Sequence, residues 1–548
     1  MKIGIAQINT TTGDFEGNSR KILDAAKKLK DMGADFAVFP ELALCGSIPK
    51  DKTKSENFLN ENARAIEKTA REILLPAFVG FARRSGGAIG AFNSAAFIEG
   101  GKIKSVYDKC LLPNYGIFDE PRNFDLGGKA GVVEFKGKKI GITICEDIWS
   151  LDPQTSARYA NVQSPADMLK DEHCDLVLNI ASSLWSPENE AARFSLLKNL
   201  AKRLNAPVAF CNLVGGNDEF VCAGESAVIS KGGEYCGMLK KFAEDFAVFD
   251  TENLAEREIE KPDRIADLYE ALKMSLGDFV RKSGFKKVAL GLSGGIDSAL
   301  VATLACEALG AENVIGVSLP SKFSSGHSVK DAEDLAKNLG LSYGNISIAK
   351  IVAETEGALA KIFAGLPRDV TEENLQSRAR GLILMAISNK LGAMVLATGN
   401  KSECAVGYCT LYGDTCGGFA PIADVYKTDV FRLARHANRF GEKIPENTII
   451  KPPSAELRPN QKDSDSLPEY DVLDAILHAY IEENLPVSKI VEKGFERGVV
   501  EDVVRKFERC EYKRRQLPPA PRLTPSSFGA GRRVSLTGVK NYEFRQSF

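Results

Sequence analysis

A short apolar run from Val288 to Leu292 breaks at Ser293-Gly294-Gly295 and gives way to a helical stretch, Ile296–Leu309. Five apolar residues in succession mark a strand buried on both faces, as in parallel sheets covered by helices. A strand that turns through glycine into a helix commits the chain around it to α/β layering. The same turn makes an anion site. Glycines let backbone N–H groups close on phosphate, and the helix dipole adds partial positive charge. No Lys-Ser/Thr pair follows the glycines, so this is not the common Walker loop. Asp297 falls in the first helical turn, where a carboxylate beside phosphates makes sense mainly as a holder of Mg²⁺. The plainer alternative is a glycine turn with Asp297 as dipole partner.

SGGIDS resembles the pyrophosphate loop of ATP pyrophosphatases, which cut ATP between its α and β phosphates to adenylate a substrate. The resemblance implies AMP transfer with release of pyrophosphate.

At 548 residues the chain is long enough for two or three domains with sizeable cores. A net charge of −2 gives no argument for broad nucleic-acid or membrane attraction. Twelve cysteines lie scattered without CxxC pairs, which suits reduced thiols better than a disulfide framework or a zinc site. MKIGIAQINT alternates like a strand and is too short and polar for a signal peptide, and no apolar run approaches membrane-span length. A soluble, cytoplasmic protein is expected. The four histidines, His173, His327, His436 and His478, lie in no motif-like setting, so a nucleophile activated by histidine is not expected.

The first half alternates strand-like runs (Ile3–Ile8, Phe36–Phe39, Ala77–Phe81, Ala95–Ile98, Ile140–Ile144, Leu176–Ile180, Val208–Cys211) with amphipathic helices (Arg20–Met32, Glu61–Leu74, Ala191–Leu204). Reactive residues are expected at strand ends. Glu41 follows ADFAVFP, Lys109 opens a loop rich in Pro, Gly and Asn, and Cys145 ends KIGITIC just before Glu146 and Asp147. A thiol at a strand-to-turn corner has the placement of a nucleophile. A lysine beside it lowers its pKa or faces an oxyanion, and a carboxylate moves the proton. Singly, the three read more readily as a helix cap, a surface lysine and a small core filler.

Together, FPE, KCLLPNYGIFDEPRNF and the strand ending in CED resemble the nitrilase, or carbon–nitrogen hydrolase, family over most of residues 1–250. That resemblance implies an αββα sandwich and a Glu41–Lys109–Cys145 triad. Cys145 would attack a carboxamide and form a thioester, Glu41 would be the general base, and Lys109 would stabilise the oxyanion. Glu120 corresponds to the family's additional carboxylate. In the glutaminase branch, Tyr115 and the serine of an N-x-S-A-S stretch bind glutamine; here that serine is Ser183. A basic residue usual six positions later is Asn189 in this chain, so either the glutamine carboxylate is held differently or Arg193 substitutes. Ser150–Asp167 looks like a polar insertion looping over the pocket. Asn212–Glu219 matches the branch's NxVGGQDE, with Asn217 replacing Gln.

Residues 251–263, charged and poor in apolar side chains, read as a linker. Arg264–Lys282 is a helix leading into the phosphate-loop strand, and strands recur at Val314–Leu319, Ser342–Ile348 and Ala393–Thr398. This predicts a doubly wound parallel sheet with its ligand beyond the strand C-termini. Glu373–Asn389, Leu396–Asp414, Gly417–Arg435 and Lys451–Leu477 resemble the NAD synthetase family, so the chain as a whole is similar to the family that fuses a nitrilase-like glutaminase (1–250) to an ATP-dependent amidating domain (264–525), here followed by a tail (526–548).

The resemblance assigns Gly291, Leu292, Ser293, Gly294, Gly295, Ile296, Asp297 and Ser298 to ATP, with Thr398 on the base side and Lys427 on phosphate charge. Asn374, Arg378, Glu403 and Lys513 match the site for deamido-NAD, and Asp297 and Glu403 would hold Mg²⁺. It implies two coupled reactions, an ammonia tunnel, and a homo-oligomer of at least a dimer, up to an octamer. The last residues read as extended and available for subunit contacts. Other ATP-pyrophosphatase amidotransferases usually carry a different glutaminase, and a non-catalytic scaffold would not be expected to keep Glu41, Lys109, Cys145, Asp297 and Glu403.

Overall fold

The computed structural model describes residues 1–538 apart from Gln154, Glu260 and Asn460. The chain divides into two compact units, Met1–Pro262 and Asp263–Phe548.

The first unit's strands begin with β1 (Lys2–Gln7), β2 (Phe36–Val38), β3 (Ala77–Arg84), β4 (Ala91–Glu99) and β5 (Lys102–Asp108). They continue with β6 (Gly131–Phe135), β7 (Lys138–Ile144), β8 (Leu176–Ala181) and β9 (Val208–Asn212). A hairpin, β10 (Val214–Asn217) and β11 (Phe220–Ala223), precedes β12 (Ala227–Ile229), β13 (Tyr235–Met238) and β14 (Asp245–Asp250). Its helices are α1 (Phe15–Asp31), α2 (Glu56–Glu72), α3 (Pro165–Lys170) and α4 (Pro187–Leu204).

Two six-stranded sheets form, in the orders β14-β1-β2-β3-β4-β5 and β13-β12-β9-β8-β7-β6. Side chains alternate across each strand. Phe36 and Val38 of β2 join Leu176, Leu178 and Ile180 of β8 in the core between the sheets. The intervening Ala37 faces Ile22, Leu29 and Ile66 of α1 and α2, while Val177 faces Leu197 and Leu200 of α4. The result is an αββα sandwich with three apolar layers.

The second unit opens with α5 (Arg264–Lys282), N-capped by Asp263, then β15 (Lys287–Gly291) and α6 (Ile296–Leu309). Next come β16 (Val314–Ser318), α7 (Gly326–Leu339), β17 (Ser342–Asn345), α8 (Ala349–Leu359), α9 (Val370–Leu391) and β18 (Ala393–Val395). Then follow α10 (Lys401–Val406), α11 (Lys427–Ala437), α12 (Glu446–Ile450), α13 (Tyr470–Ile481), α14 (Val487–Glu492), α15 (Arg497–Arg509) and α16 (Glu511–Arg514). The sheet is parallel throughout, in the order β17-β16-β15-β18, with the strand order reversing between β15 and β18. That is where ligands sit in doubly wound folds. α6 is buried nearly all round, which explains its lack of a polar face.

One strand, from Val314, ends one residue early at Ser318, and two stop three residues short of the expected ends. Ser342 begins a strand that ends at Asn345 rather than Ile348, and the one from Ala393 ends at Val395 rather than Thr398. In each case the chain leaves the sheet to build a loop at the C-terminal edge. Phe528 packs near the C-terminal helical core, and Arg532 donates to Ile481 O and Asn484 Oδ1 (both 2.9 Å). This part of the tail therefore folds back instead of extending; residues 539–548 lie outside the described ones. Among the described residues no helix is long and apolar enough to cross a membrane.

Candidate active sites

In the first unit, Glu41 lies just beyond β2, Lys109 just beyond β5, and Cys145 just beyond β7. All three belong to the edge where strands leave the core. The bend at Glu41 requires close backbone approach: a β-carbon on Gly80 would stand 2.2 Å from Pro40 O. Lys109 is fully buried, its Nζ 2.8 Å from Glu41 Oε1 and 2.8–2.9 Å from both Glu120 oxygens. Glu41 also accepts from Asn93 Nδ2 (2.7 Å) and from Ser182 N and Oγ (both 2.8 Å). Burial alone would raise the Glu41 pKa, but Lys109 and these donors outweigh it and hold the carboxyl below its ordinary value. Burial likewise opposes the Lys109 charge, yet Glu120 and Glu41 keep the ammonium protonated well above its usual range. Glu120 goes the other way: burial lifts it to about 7 despite Lys109.

Cys145 has φ +43°, a backbone region costly for a side-chain-bearing residue, of the kind that collects at functional sites. Its thiol is pushed up by burial and by Glu41, with Lys109 opposing. The resting pair is therefore a protonated thiol and an ionised carboxylate. Asp147 sets this corner: it accepts from the backbone N–H groups of Ile144 (2.8 Å), Cys110 (3.0 Å) and Leu111 (2.9 Å) and from Tyr107 Oη (2.7 Å). It ties the Cys145 turn to the segment following Lys109.

Tyr115 Oη donates to Glu146 (2.9 and 3.2 Å), and Tyr159 Oη donates to the same carboxylate. Tyr159 comes from the Ser150–Asp167 segment, so this insertion does reach the site. Burial raises Glu146 to about 7, and among the described residues no cation is in hydrogen-bond contact with it. Ser183 N donates to Asn212 Oδ1 (2.9 Å), and its hydroxyl meets Arg193 Nη1 at 3.3 Å. Asn189 is half-buried in the first turn of α4, its backbone N–H donating to Ser186 Oγ (3.2 Å). Sequence reasoning gives no role to Ser182, Asn93, Asp147 or Glu146. The signals available are the place of Ser182 beside Ser183 at the end of β8 and of Glu146 and Asp147 directly after Cys145.

In the second unit, Gly294 takes φ +78°, and a β-carbon there would stand 2.3 Å from Ser328 O. The loop thus leans on the start of α7. Ser293 Oγ accepts from Gly295 N (3.1 Å) and lies 3.2 Å from Ser298 Oγ, which in turn donates to Gly295 O (3.0 Å). Gly291 and Leu292 end the strand, and Ile296 opens α6 over this turn. Lys427, buried at the start of α11, ion-pairs with Asp297 and with Glu403 (3.4 Å), while Asn400 Nδ2 donates to Asp297 Oδ1 (2.9 Å). Burial and the Asp297 charge raise Glu403 to about 8, even with Lys427 beside it. Thr398 is half-buried between β18 and α10.

Asn374 Oδ1 accepts from Thr410 Oγ1 (2.8 Å), Arg378 Nε donates to Leu411 O (3.1 Å), and Lys513 Nζ donates to Gly407 O and Cys409 O (both 2.7 Å). Asn374, Arg378 and Lys513 therefore converge on the 407–414 segment that follows α10, the helix carrying Glu403. Fully buried Lys401 fastens that helix from behind, pairing with Asp424 (2.8 Å) and Glu482 and donating to Thr524 Oγ1 (2.6 Å).

Among the described residues no group of three or more His, Cys, Asp or Glu side chains is arranged to hold a metal. Mg²⁺ uses one or two carboxylates plus phosphate oxygens and water more often than a protein cage. Asp297 and Glu403 at the phosphate loop fit that kind of site, one completed by the nucleotide.

Residues 2–253 match the carbon-nitrogen hydrolase family and residues 268–518 the NAD synthase family. A glutamine-dependent NAD(+) synthetase of Synechocystis sp. is 43% identical, over 97% of this chain and 98% of that protein. One of Thermotoga maritima is 41% identical, over 98% of each. The solved glutamine-dependent NAD+ synthetase of Acinetobacter baumannii, in complex with adenosine diphosphate, is 39% identical, with a TM-score of 0.76 over 97% of this chain and 98% of that one. With two family matches in series and relatives that share its full span, the chain belongs to the glutamine-dependent NAD(+) synthetases.

Proposed function

We propose that the first unit hydrolyses glutamine at Cys145 and that the second uses the released ammonia to amidate deamido-NAD at the expense of ATP. The observation that carries the first half is the Lys109 ammonium clamped between Glu41 and Glu120 at the Cys145 corner. Cys145 Sγ attacks the side-chain amide carbon, and Glu41 takes the thiol proton as the S–C bond forms. Lys109 faces the resulting oxyanion. Glu41 then returns the proton to the departing nitrogen, ammonia leaves, and water cleaves the thioester to glutamate. Tyr115, Glu120, Glu146 and Ser183 surround the substrate, with Glu146 taking its α-ammonium. Asn189 offers a polar but uncharged contact.

In the second unit the nicotinate carboxylate attacks the ATP α-phosphorus and pyrophosphate leaves. Gly291–Ser298 cradles the phosphates, Thr398 meets the base side, and Lys427 offsets phosphate charge. Asp297 and Glu403 would hold Mg²⁺, which when bound screens phosphate charge. Asn374, Arg378 and Lys513 orient the dinucleotide. Ammonia then adds to the activated acyl carbon, AMP departs, and a proton is lost to give the amide. Ammonia is a minor species beside ammonium near neutral pH, which favours its delivery through a tunnel on one chain. Exposed Leu382 and Met385, three residues apart on α9, give an apolar patch suited to a second copy in a homo-oligomer. Cytoplasmic localisation completes the reading.

Cys145→Ala is the test. NAD formation with glutamine should fall at least ~10³-fold while formation with added ammonia persists. Loss of both, or neither, defeats the division of labour.

A further inference from the structure

Arg193 is buried, yet the proposed chemistry leaves it without a task. Its Nη2 pairs with Glu225 Oε2 at 3.1 Å, its Nη1 meets Ser183 Oγ at 3.3 Å, and its Nε has no hydrogen-bond partner among the described residues. The guanidinium lies 5.2 Å from the Phe194 ring centroid and 5.6 Å from that of Phe210. Glu225 is shared with Lys241 (3.0 Å), which also pairs with Glu190 (3.0 Å). A buried cation held in this way, with one donor unspent and another aimed at Ser183, which the proposed chemistry sets beside the substrate, is more than a structural ion pair needs.

The direction of the serine bond carries the argument. A guanidinium can only donate, so Ser183 Oγ is the acceptor and its own proton is left to point elsewhere. A hydroxyl that accepts from a cation is a stronger donor toward an anion. The position six residues after Ser183 holds neutral Asn189, so no lysine or arginine side chain is available there to meet a carboxylate.

We propose that Arg193 is a positioning residue for the glutamine α-carboxylate. It polarises Ser183, so that the carboxylate is held by a hydroxyl backed by a buried cation in place of a basic side chain at position 189. The inference rests on the glutaminase reading above.

The experiment compares ammonia release from glutamine with release from 4-aminobutyramide, which keeps the amide and the amine and lacks the carboxylate. Arg193→Gln should raise the glutamine KM roughly tenfold with kcat nearly unchanged, and should leave the KM for 4-aminobutyramide where it was. Arg193→Lys should recover part of the loss, and Asn189→Lys in the Arg193→Gln background should recover more, by supplying the charge directly. A fall in kcat at constant KM, equal losses on both amides, or no change overturns the proposal. Should Arg193→Gln fail to fold, Ser183→Ala decides. It removes the hydroxyl and spares the Glu225 pair, and it must weaken glutamine while sparing 4-aminobutyramide; equal effects overturn the idea. If the unaltered protein releases no ammonia from glutamine, the glutaminase reading itself falls; release that is indifferent to Arg193→Gln defeats this inference alone.

Discussion

At its candidate site each unit buries a lysine between two carboxylates, and the two clamps are finished to different degrees. Around Lys109, Glu41 is bound by four donors and stays ionised, with every bond between 2.7 and 2.8 Å. Around Lys427, Glu403 stands 3.4 Å away, with its pKa lifted to about 8. The first set is complete before substrate arrives, as covalent catalysis at a fixed sulfur requires. In the second, the ammonium sits closest to Asp297 and holds Glu403 at longer range. Preorganisation is the more advanced around the thiol.

Stability separates the clamps most sharply. Lys109→Met strands Glu41 as a buried charge and should cost about 3–5 kcal/mol in calorimetric unfolding. Lys427→Met should cost less, because its partners Asp297 and Glu403 keep 17% and 18% of their side chains exposed against 1% for Glu41; equal losses would break the comparison. Activity should show the converse. Lys427→Met should lower NAD formation by ~10²–10³-fold with either nitrogen donor while leaving glutaminase turnover intact. Ser182→Ala probes the finish of the first clamp more finely. One lost donor raises the Glu41 pKa, so the base is protonated at higher pH. The acid limb of glutaminase kcat/KM should move up by about one unit, with roughly a tenfold lower rate on that limb. The smallest effect is at Glu146. Its pKa is raised to about 7, so it is neutral below that pH and ionised above it. The glutamine KM should therefore fall as pH rises through about 7, and Glu146→Gln should flatten that dependence.

What could be read from sequence follows from how local the cause is. Ile296–Leu309 and Arg264–Lys282 are helices at their expected bounds because a glycine turn and an aspartate cap set their starts. The parallel strands were visible as apolar runs. β5, whose exposed and half-buried residues alternate, and the short β10 to β13 were not, because their signal is spread over the pairing partner. In the site, Glu41, Lys109 and Cys145 stand at ends of apolar runs, where a charged or reactive side chain is conspicuous. Ser182 and Asn93 act through Glu41, and Asp147 mostly through Tyr107, Cys110 and Leu111, all far along the chain, and serine, asparagine and aspartate are common loop formers. Arg193 was visible as a basic residue after Asn189, but its bond to Ser183 needed coordinates.

The ammonium of Lys401 gathers Asp424, Glu482 and Thr524, the last drawn from close to the end of the described chain. Protein synthesis releases the amino-terminal half first, and such halves fold as units. A growing polypeptide thus owns the full thiol, lysine and carboxylate set while the peg that steadies the Glu403 helix is still missing. A chain clipped or stalled shortly before Thr524 would be an amide-splitting protein with an unbraced ligase, spilling nitrogen that nothing downstream collects.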